Sequence, residues 1–190
     1  MTDVNLQTLH LYTRQFSGLT EEKIQTLHEV YETLQPDLQQ VTDTFYEQLS
    51  LIPKTKAFIE GRIDQLKLTH IAWLNELFVS NFDEDYTAKL YKIGDVHVKV
   101  NLPVEFVSGA MSIIQGELTI LIVQKYTGQT DKQLKILEAL NSALSFCSLV
   151  MQESYQTSAL AEELDKFLNI TGMSRKLFDN LARVYSKKPG

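Results

Sequence analysis

The sequence HVKVNLPVEFVSG, residues 97–109, places a solitary histidine six positions before a proline. Pro103 suits the first turn of a helix, because its φ is already near the helical value and its missing amide hydrogen is not needed there. The pattern therefore predicts that His97 ends one helix just before Pro103 opens the next. A neutral imidazole at such a helix end can bind a metal, although a lone histidine on an apolar face is more often an ordinary core residue.

The composition fits one helical domain. The 190 residues are 44% hydrophobic and contain four prolines and eight glycines, which is enough apolar material for a full core and too few breakers for a chain of many turns. Cys147 is the only cysteine, which excludes an intrachain disulfide or a cysteine-rich zinc site. The usual C-x-x-C-H attachment for covalent haem is also absent.

Charge and termini point to a cytoplasmic protein. The net charge of −6 and the lack of a basic stripe argue against nucleic-acid binding. The first ten residues lack the cationic start and apolar run of a signal peptide. The apolar segment 119–123 is too short to span a bilayer. We expect no nucleic-acid and no membrane partner.

Apolar residues recur at helical spacing along most of the chain. They predict helices at 4–16, 20–34, 36–49, 62–79, 83–97, 103–126, 134–167 and 174–185. The first two are expected at the surface, Asp83 or Asp85 and then Asp131 are candidate N-caps, and the piece around Phe58 reads as a turn. The β-branched run from Val96 to Val100 is compatible with a strand, but the flanking helical pattern disfavours one. The prediction is a single all-α domain.

Few residue groups point to chemistry. No nucleophile elbow, phosphate loop or H-E-x-x-H helix is present, and the acidic pairs lie at helix starts or on polar faces. His10 and His28 fall in the early surface segments, where no role is expected. His70 and His97 each lie within an apolar stripe, so two facing helices could offer imidazoles to opposite sides of a haem. Two histidines are too few for a structural zinc site, and no Glu-x-x-His pair repeats as in a di-iron bundle.

A family resemblance adds to this. The chain carries Phe45-Tyr46, then Gln65-Leu66-Lys67 followed by Trp73, and IGDVHVKVNLPVEFVSGAM at residues 93–111. Together these resemble globin-coupled sensors over roughly residues 20–160. The most specific element is the pattern H-x-x-x-x-(I/L)-P-x-(E/W), formed here by His97, Leu102, Pro103 and Glu105.

The resemblance implies a globin fold of the sensor type, with an extra N-terminal helix and a C-terminal transmitter helix. Residues 1–168 would form the sensor globin domain, and 169–190 a helical extension towards an output module that the sequence does not contain. Haem b would lie between helices 62–79 and 83–97, with His97 as the proximal ligand and Tyr46 as the distal hydrogen-bond donor to a bound gas. The implied haem-binding set is Tyr46, Leu66, Thr69, His70, Trp73, His97, Val100 and Phe106.

His70 departs from the family pattern, in which this position is apolar. It lies one turn after Leu66 and should face the haem. We expect His70 to be a candidate sixth iron ligand that a gas must displace. The alternative is a core histidine bonded to a backbone carbonyl.

The implied function is sensing of a diatomic gas (O2, with CO or NO as alternatives) or of redox state. The signal would pass through a homodimer, built from the helices starting near Pro103 and Asp131 with Ile113, Leu144 and Leu149 at the contact, to an output domain or partner protein. No GG(D/E)EF-type sequence is present, so the chain itself is expected to be no enzyme. Two alternatives stay open: a haem globin enzyme, such as a nitric oxide dioxygenase or peroxidase-like globin, and a cofactor-free helical interaction module.

Overall fold

The computed structural model describes residues 5–186, and these form helices and connecting turns with no β-strand. The helices, in chain order, are α1 (Leu6–Ser17), α2 (Glu21–Leu34), α3 (Leu38–Leu51), α4 (Pro53–Ile59), α5 (Ile63–Val79), α6 (Glu84–Lys99), α7 (Val104–Lys125), α8 (Thr130–Thr171) and α9 (Arg175–Ser186). A 3-10 turn, Gln35–Asp37, joins α2 to α3. The predicted all-α class is confirmed.

Local signals set several helix ends. The side chain of Thr20 accepts a hydrogen bond from the Lys23 amide at the start of α2, and Asp83 accepts one from Tyr86 at the start of α6. Such bonds satisfy amides that have no partner inside the helix. Gly172, with φ 68, ends α8 in the left-handed conformation that glycine adopts most readily.

Several predicted boundaries are wrong. The piece expected to be a turn around Phe58 is helix α4, with Pro53 in its first turn. Pro36 lies in the 3-10 turn, so α3 begins two residues later. Gln129 occupies the N-cap position of α8, and the Asp131 side chain does not cap this helix. The predicted start of the first helix, Val4, lies outside the described residues.

The first two helices are more buried than expected. α1 buries Leu9, His10 and Thr13, and α2 buries an apolar face that includes Leu27. His10 Nδ1 lies 3.0 Å from the Thr87 hydroxyl in a buried hydrogen bond. His10 is thus part of the interior, and the prediction that it lies on a surface segment is wrong.

Helix α8 is the centre of the packing. It contacts α6 most extensively and also packs on α1, α2 and α7. Leu144, expected at a dimer contact, is only 4% exposed within the single chain and belongs to this core. The boundary expected at residues 168 and 169 falls in the last turn of α8, and that domain division stays a prediction.

Two helices, α7 and α8, are long and apolar enough to cross a membrane by length and composition alone. The apolar segment 119–123 is thus part of a much longer apolar helix. Core helices of soluble proteins meet the same criterion, and α8 buries many of its residues against the other helices.

Candidate functional site

His97 lies in the last turn of α6, as its sequence context predicts. Asn101, with φ 55, turns the chain sharply, and the Leu102 amide donates to the His97 carbonyl at 3.0 Å. The ring of Tyr155 from α8 lies beside the imidazole, with centroids 6.2 Å apart. The Tyr155 hydroxyl donates to the Leu102 carbonyl at 3.1 Å. The tight turn and α8 together fix the position of His97.

The His97 imidazole is suited to metal ligation. Its Nδ1 is buried and has no hydrogen-bond partner among the residues that the structure describes. Burial lowers the pKa of His97 below its ordinary value, because a charged ring is poorly solvated there. The ring is therefore neutral at physiological pH, which is the form that binds a metal.

His70, on α5, lies among aromatic rings. It stacks on Phe45, with ring centroids 4.6 Å apart and planes 12° apart, and meets the ring of Tyr46 edge-on at 5.8 Å. Trp73 lies one turn along the same helix, 5.8 Å away between centroids. Burial lowers the pKa of His70 to about 4, so this imidazole is also neutral at physiological pH.

The two ring nitrogens of His70 differ in their surroundings. Nδ1 lies 3.0 Å from the hydroxyl of Thr42, whereas Nε2 is buried without a partner in the described part of the chain. If Nδ1 carries the proton and donates to Thr42, the Nε2 lone pair is free. Metal-binding histidines are commonly oriented in this way by a partner on the second nitrogen. The expected alternative, a bond from His70 to a backbone carbonyl, is not seen within residues 5–186.

Tyr46, on α3, lies next to His70 and is buried. Burial raises the pKa of its hydroxyl to about 12, so the phenol keeps its proton and can donate a hydrogen bond. Its ring also meets that of Phe45 edge-on at 5.0 Å. The predicted site residues Tyr46, His70 and Trp73 thus belong to one cluster.

The remaining predicted site residues lie outside this aromatic cluster. Leu66 is partly buried against the core, and Thr69 is exposed with its hydroxyl bonded to the Leu66 carbonyl at 2.9 Å. Val100 is exposed beyond the end of α6. Phe106, near the start of α7, packs edge-on against Phe58 at 5.7 Å.

The helices that carry the two histidines pack on different neighbours. α5 packs on α2 and α3, whereas α6 packs on α1 and α8, and the two are not among the helix pairs in extensive contact within residues 5–186. An ion pair between Glu76 and Lys89, 2.6 Å apart, links them near their connecting turn. Each helix thus offers a buried imidazole nitrogen without a hydrogen-bond partner in this region. These residues fit a group that requires axial nitrogen ligands, such as haem.

Sequence reasoning did not assign roles to Thr42 and Tyr155. Thr42 lies four residues before Tyr46, and this spacing places both on one face of α3. That periodicity was a usable signal for Thr42. Tyr155 is 58 positions from His97, and only the packing of α8 against α6 reveals their contact.

Comparison with known proteins extends these findings. Residues 7–161 match the family model described as Protoglobin. The globin domain of the Geobacter sulfurreducens globin-coupled sensor has 26% identity and a TM-score of 0.71, over 76% of this chain and 96% of that one. The ferric and ferrous forms of the globin domain of E. coli DosC are similar in fold, each with 16% identity and a TM-score of 0.63, over 74% of this chain and 97% of theirs.

The family match extends from α1 to the part of α8 that packs on α6. It confirms the globin fold and the resemblance to sensor globins that the residues around His97 indicate. It also implies haem binding, in agreement with the neutral, half-buried imidazoles of His70 and His97. The chain is a member of the Protoglobin family.

Proposed function

We propose that this chain is a haem-based sensor domain that binds haem b and responds to a diatomic gas, with O2 as the first candidate and CO and NO as alternatives. The observation that carries the proposal is the pair of buried imidazole nitrogens, His70 Nε2 and His97 Nδ1, that lack a partner within the described residues. They lie in a globin fold, on the two helices between which a globin holds its haem.

Each residue has a distinct part. When bound, haem b supplies an iron atom that binds diatomic ligands reversibly. His97 would hold the haem iron, and His70, oriented by Thr42, would offer its free Nε2 as a second nitrogen ligand when no gas is present. Tyr46, whose hydroxyl keeps its proton, would donate a hydrogen bond to a bound gas. The remainder of the proposed pocket would be lined by Leu66, Thr69, Trp73, Val100 and Phe106.

The signal leaves the site through α7 and α8, which form the proposed homodimer contact. On α7, Gly109, Ile113, Gly116, Ile120 and Val123 recur every three or four residues and so share one face. A side chain added at Gly109 or Gly116 would meet no atom within 4 Å, and Ile120 is 52% exposed. This face supports packing against a second copy.

The proposed output lies outside this sequence. Residues 1–168 act as the sensor globin domain, and residues 169–190 extend it towards an output domain or a separate signalling protein. The domain is cytoplasmic, and it changes conformation without catalysing a reaction.

Absorption spectra of the purified full chain in ferric, ferrous and CO-treated ferrous forms test the proposal. We expect a Soret band in all three, and a shift of that band when CO is added. A protein that takes up no haem, with no Soret band after incubation with hemin, would refute the proposal. A Soret band that CO leaves unchanged would refute gas sensing while preserving haem binding.

A further inference from the structure

Helix α6 meets α8 at an unusually close crossing, three residues before His97. A Cβ atom built on Gly94 would lie 2.6 Å from the Cβ of Ser154 and 3.1 Å from the carbonyl oxygen of Met151. Real Cβ atoms essentially never come as near as the first distance. The absence of a side chain at Gly94 is therefore what allows the two backbones to approach.

A buried polar group accompanies this crossing. The hydroxyl of Ser154 lies 2.8 Å from Asp95 Oδ1 and 2.7 Å from the Tyr91 carbonyl oxygen. The hydroxyl of Ser158, one turn further along α8, donates to the same Asp95 oxygen at 2.6 Å. A hydrogen bond to an ionised acceptor is roughly twice as strong as a neutral one. Asp95 on α6 is thus hydrogen-bonded to side chains in two successive turns of α8.

The same face of α8 also contacts the His97 ring and the turn that follows it. Tyr155 follows Ser154 directly, contacts the His97 ring and donates to the Leu102 carbonyl. Residues two apart in a helix project about 200° from each other around the axis. Asp95 can therefore bond to α8 without taking the space in front of the His97 ring.

We propose that Asp95, through Ser154 and Ser158, is the positioning residue that sets the orientation of His97 and couples its movement to α8. This inference rests on the proposed function, since it assumes that His97 holds the haem iron. A rotation of α6 that turns His97 must either carry α8 with it or break the hydrogen bonds that join Asp95 to Ser154 and Ser158.

The iron–histidine stretching band, recorded by resonance Raman spectroscopy just after photolysis of the CO complex, reports the strain on His97. In Asp95→Ala of the 190-residue chain we expect a band that is shifted to lower frequency and broadened. Asp95→Asn keeps an oxygen that accepts from the serine hydroxyls, so it should retain the wild-type band. Asp85→Ala removes an exposed carboxylate from the first turn of the same helix and is the matched control.

Hydrogen exchange of the amides in residues 97–102 provides a readout that does not depend on haem. It should be faster in Asp95→Ala than in Asp85→Ala. If Asp95→Ala does not fold, Ser158→Ala removes one donor and should shift the band in the same direction. An unchanged band and unchanged exchange in Asp95→Ala or Ser158→Ala would overturn this inference. A wild-type protein without an iron–histidine band would instead refute the proposed function.

Discussion

At the scale of single residues, the site depends on keeping imidazoles neutral and oriented. His70 has one nitrogen bonded to Thr42 and the other buried without a partner among residues 5–186. A buried polar atom that lacks a hydrogen bond costs about 1–3 kcal/mol. Ligation of iron would remove that cost at Nε2, which is the physical reason for assigning the sixth position to His70.

The distal role of His70 predicts the effect of removing its ring. His70→Leu should convert the unliganded ferric protein from a bis-histidyl absorption spectrum to a five-coordinate or water-bound one. Thr42→Val is the matched control, because it removes the bond to Nδ1 and keeps the ring. That variant should stay six-coordinate with a weaker sixth ligand. A six-coordinate spectrum unchanged in His70→Leu would exclude His70 as the ligand.

His10 predicts a pH effect remote from the haem site. Burial, and then the charge of Arg14, lower its pKa, while Glu84 and Asp83 act in the opposite direction. Because the folded chain binds this proton less well than the unfolded chain, His10 should reduce the free energy of unfolding as the pH falls below about 6.5. Urea unfolding measures the free energy of unfolding at pH 7 and at pH 5. The decrease between these two pH values should be smaller in His10→Gln than in wild type. Equal losses would contradict this account.

At the scale of elements, α6 and its neighbours show what the sequence predicts and what it does not. Helical periodicity, the Asp83 cap and the proline at 103 predict the positions of α6 and α7 within two residues. The contacts that orient His97 involve Ser154 and Tyr155, more than fifty positions away. Local patterns carry no information on such pairs, because they depend on how α8 crosses α6.

The burial of α1 and α2 cannot be predicted from the sequence for a related reason. The amphipathic pattern of α1 shows that one face is apolar, but it does not show how fully a second layer covers that face. Likewise, the sequence pattern selects His70 as inward-facing, yet only the structure shows Thr42 on one of its nitrogens and Phe45 stacked on its ring.

The close crossing of α6 and α8 predicts that Gly94→Ala destabilises the fold. Overpacking costs about 1–3 kcal/mol, against about 0.5–1 kcal/mol gained by replacing glycine with alanine in a helix. We expect a net loss on the order of 1 kcal/mol in urea unfolding. Gly94→Ala should lower the free energy of unfolding by less in a Ser154→Gly background, because the side-chain atoms of Ser154 nearest to the added methyl group are absent there. Equal costs in both backgrounds would show that the crossing is not tight in solution.

At the scale of the whole molecule, the chain is a globin built around α8, with the proposed dimer face on α7. Leu144 cannot contribute to that face because it is buried in the core. The stripe from Gly109 to Val123 on α7, in which Ile120 and Val123 are exposed, remains as the proposed contact together with Leu149 on α8. The two glycines of the stripe leave space in which a second helix can approach closely.

The proposed dimer predicts the effect of a charge on this stripe. Wild type should have the mass of a dimer by static light scattering at micromolar concentration, and Ile120→Arg should shift it towards the monomer. Leu51→Arg is the control, because Leu51 is an apolar residue, 82% exposed, on α3. A monomeric wild type would contradict the dimer, and an Ile120→Arg dimer would place the contact elsewhere.

The central claim is that His97 holds a haem in this fold, and a hemin titration followed at the Soret band tests it most directly. The account predicts that wild type saturates at one haem per chain and that His97→Gly loses tight binding. His28→Gln, which alters a histidine bonded to the Ser80 carbonyl, should bind as wild type does. Equal haem affinity and identical spectra in wild type and His97→Gly would contradict the account.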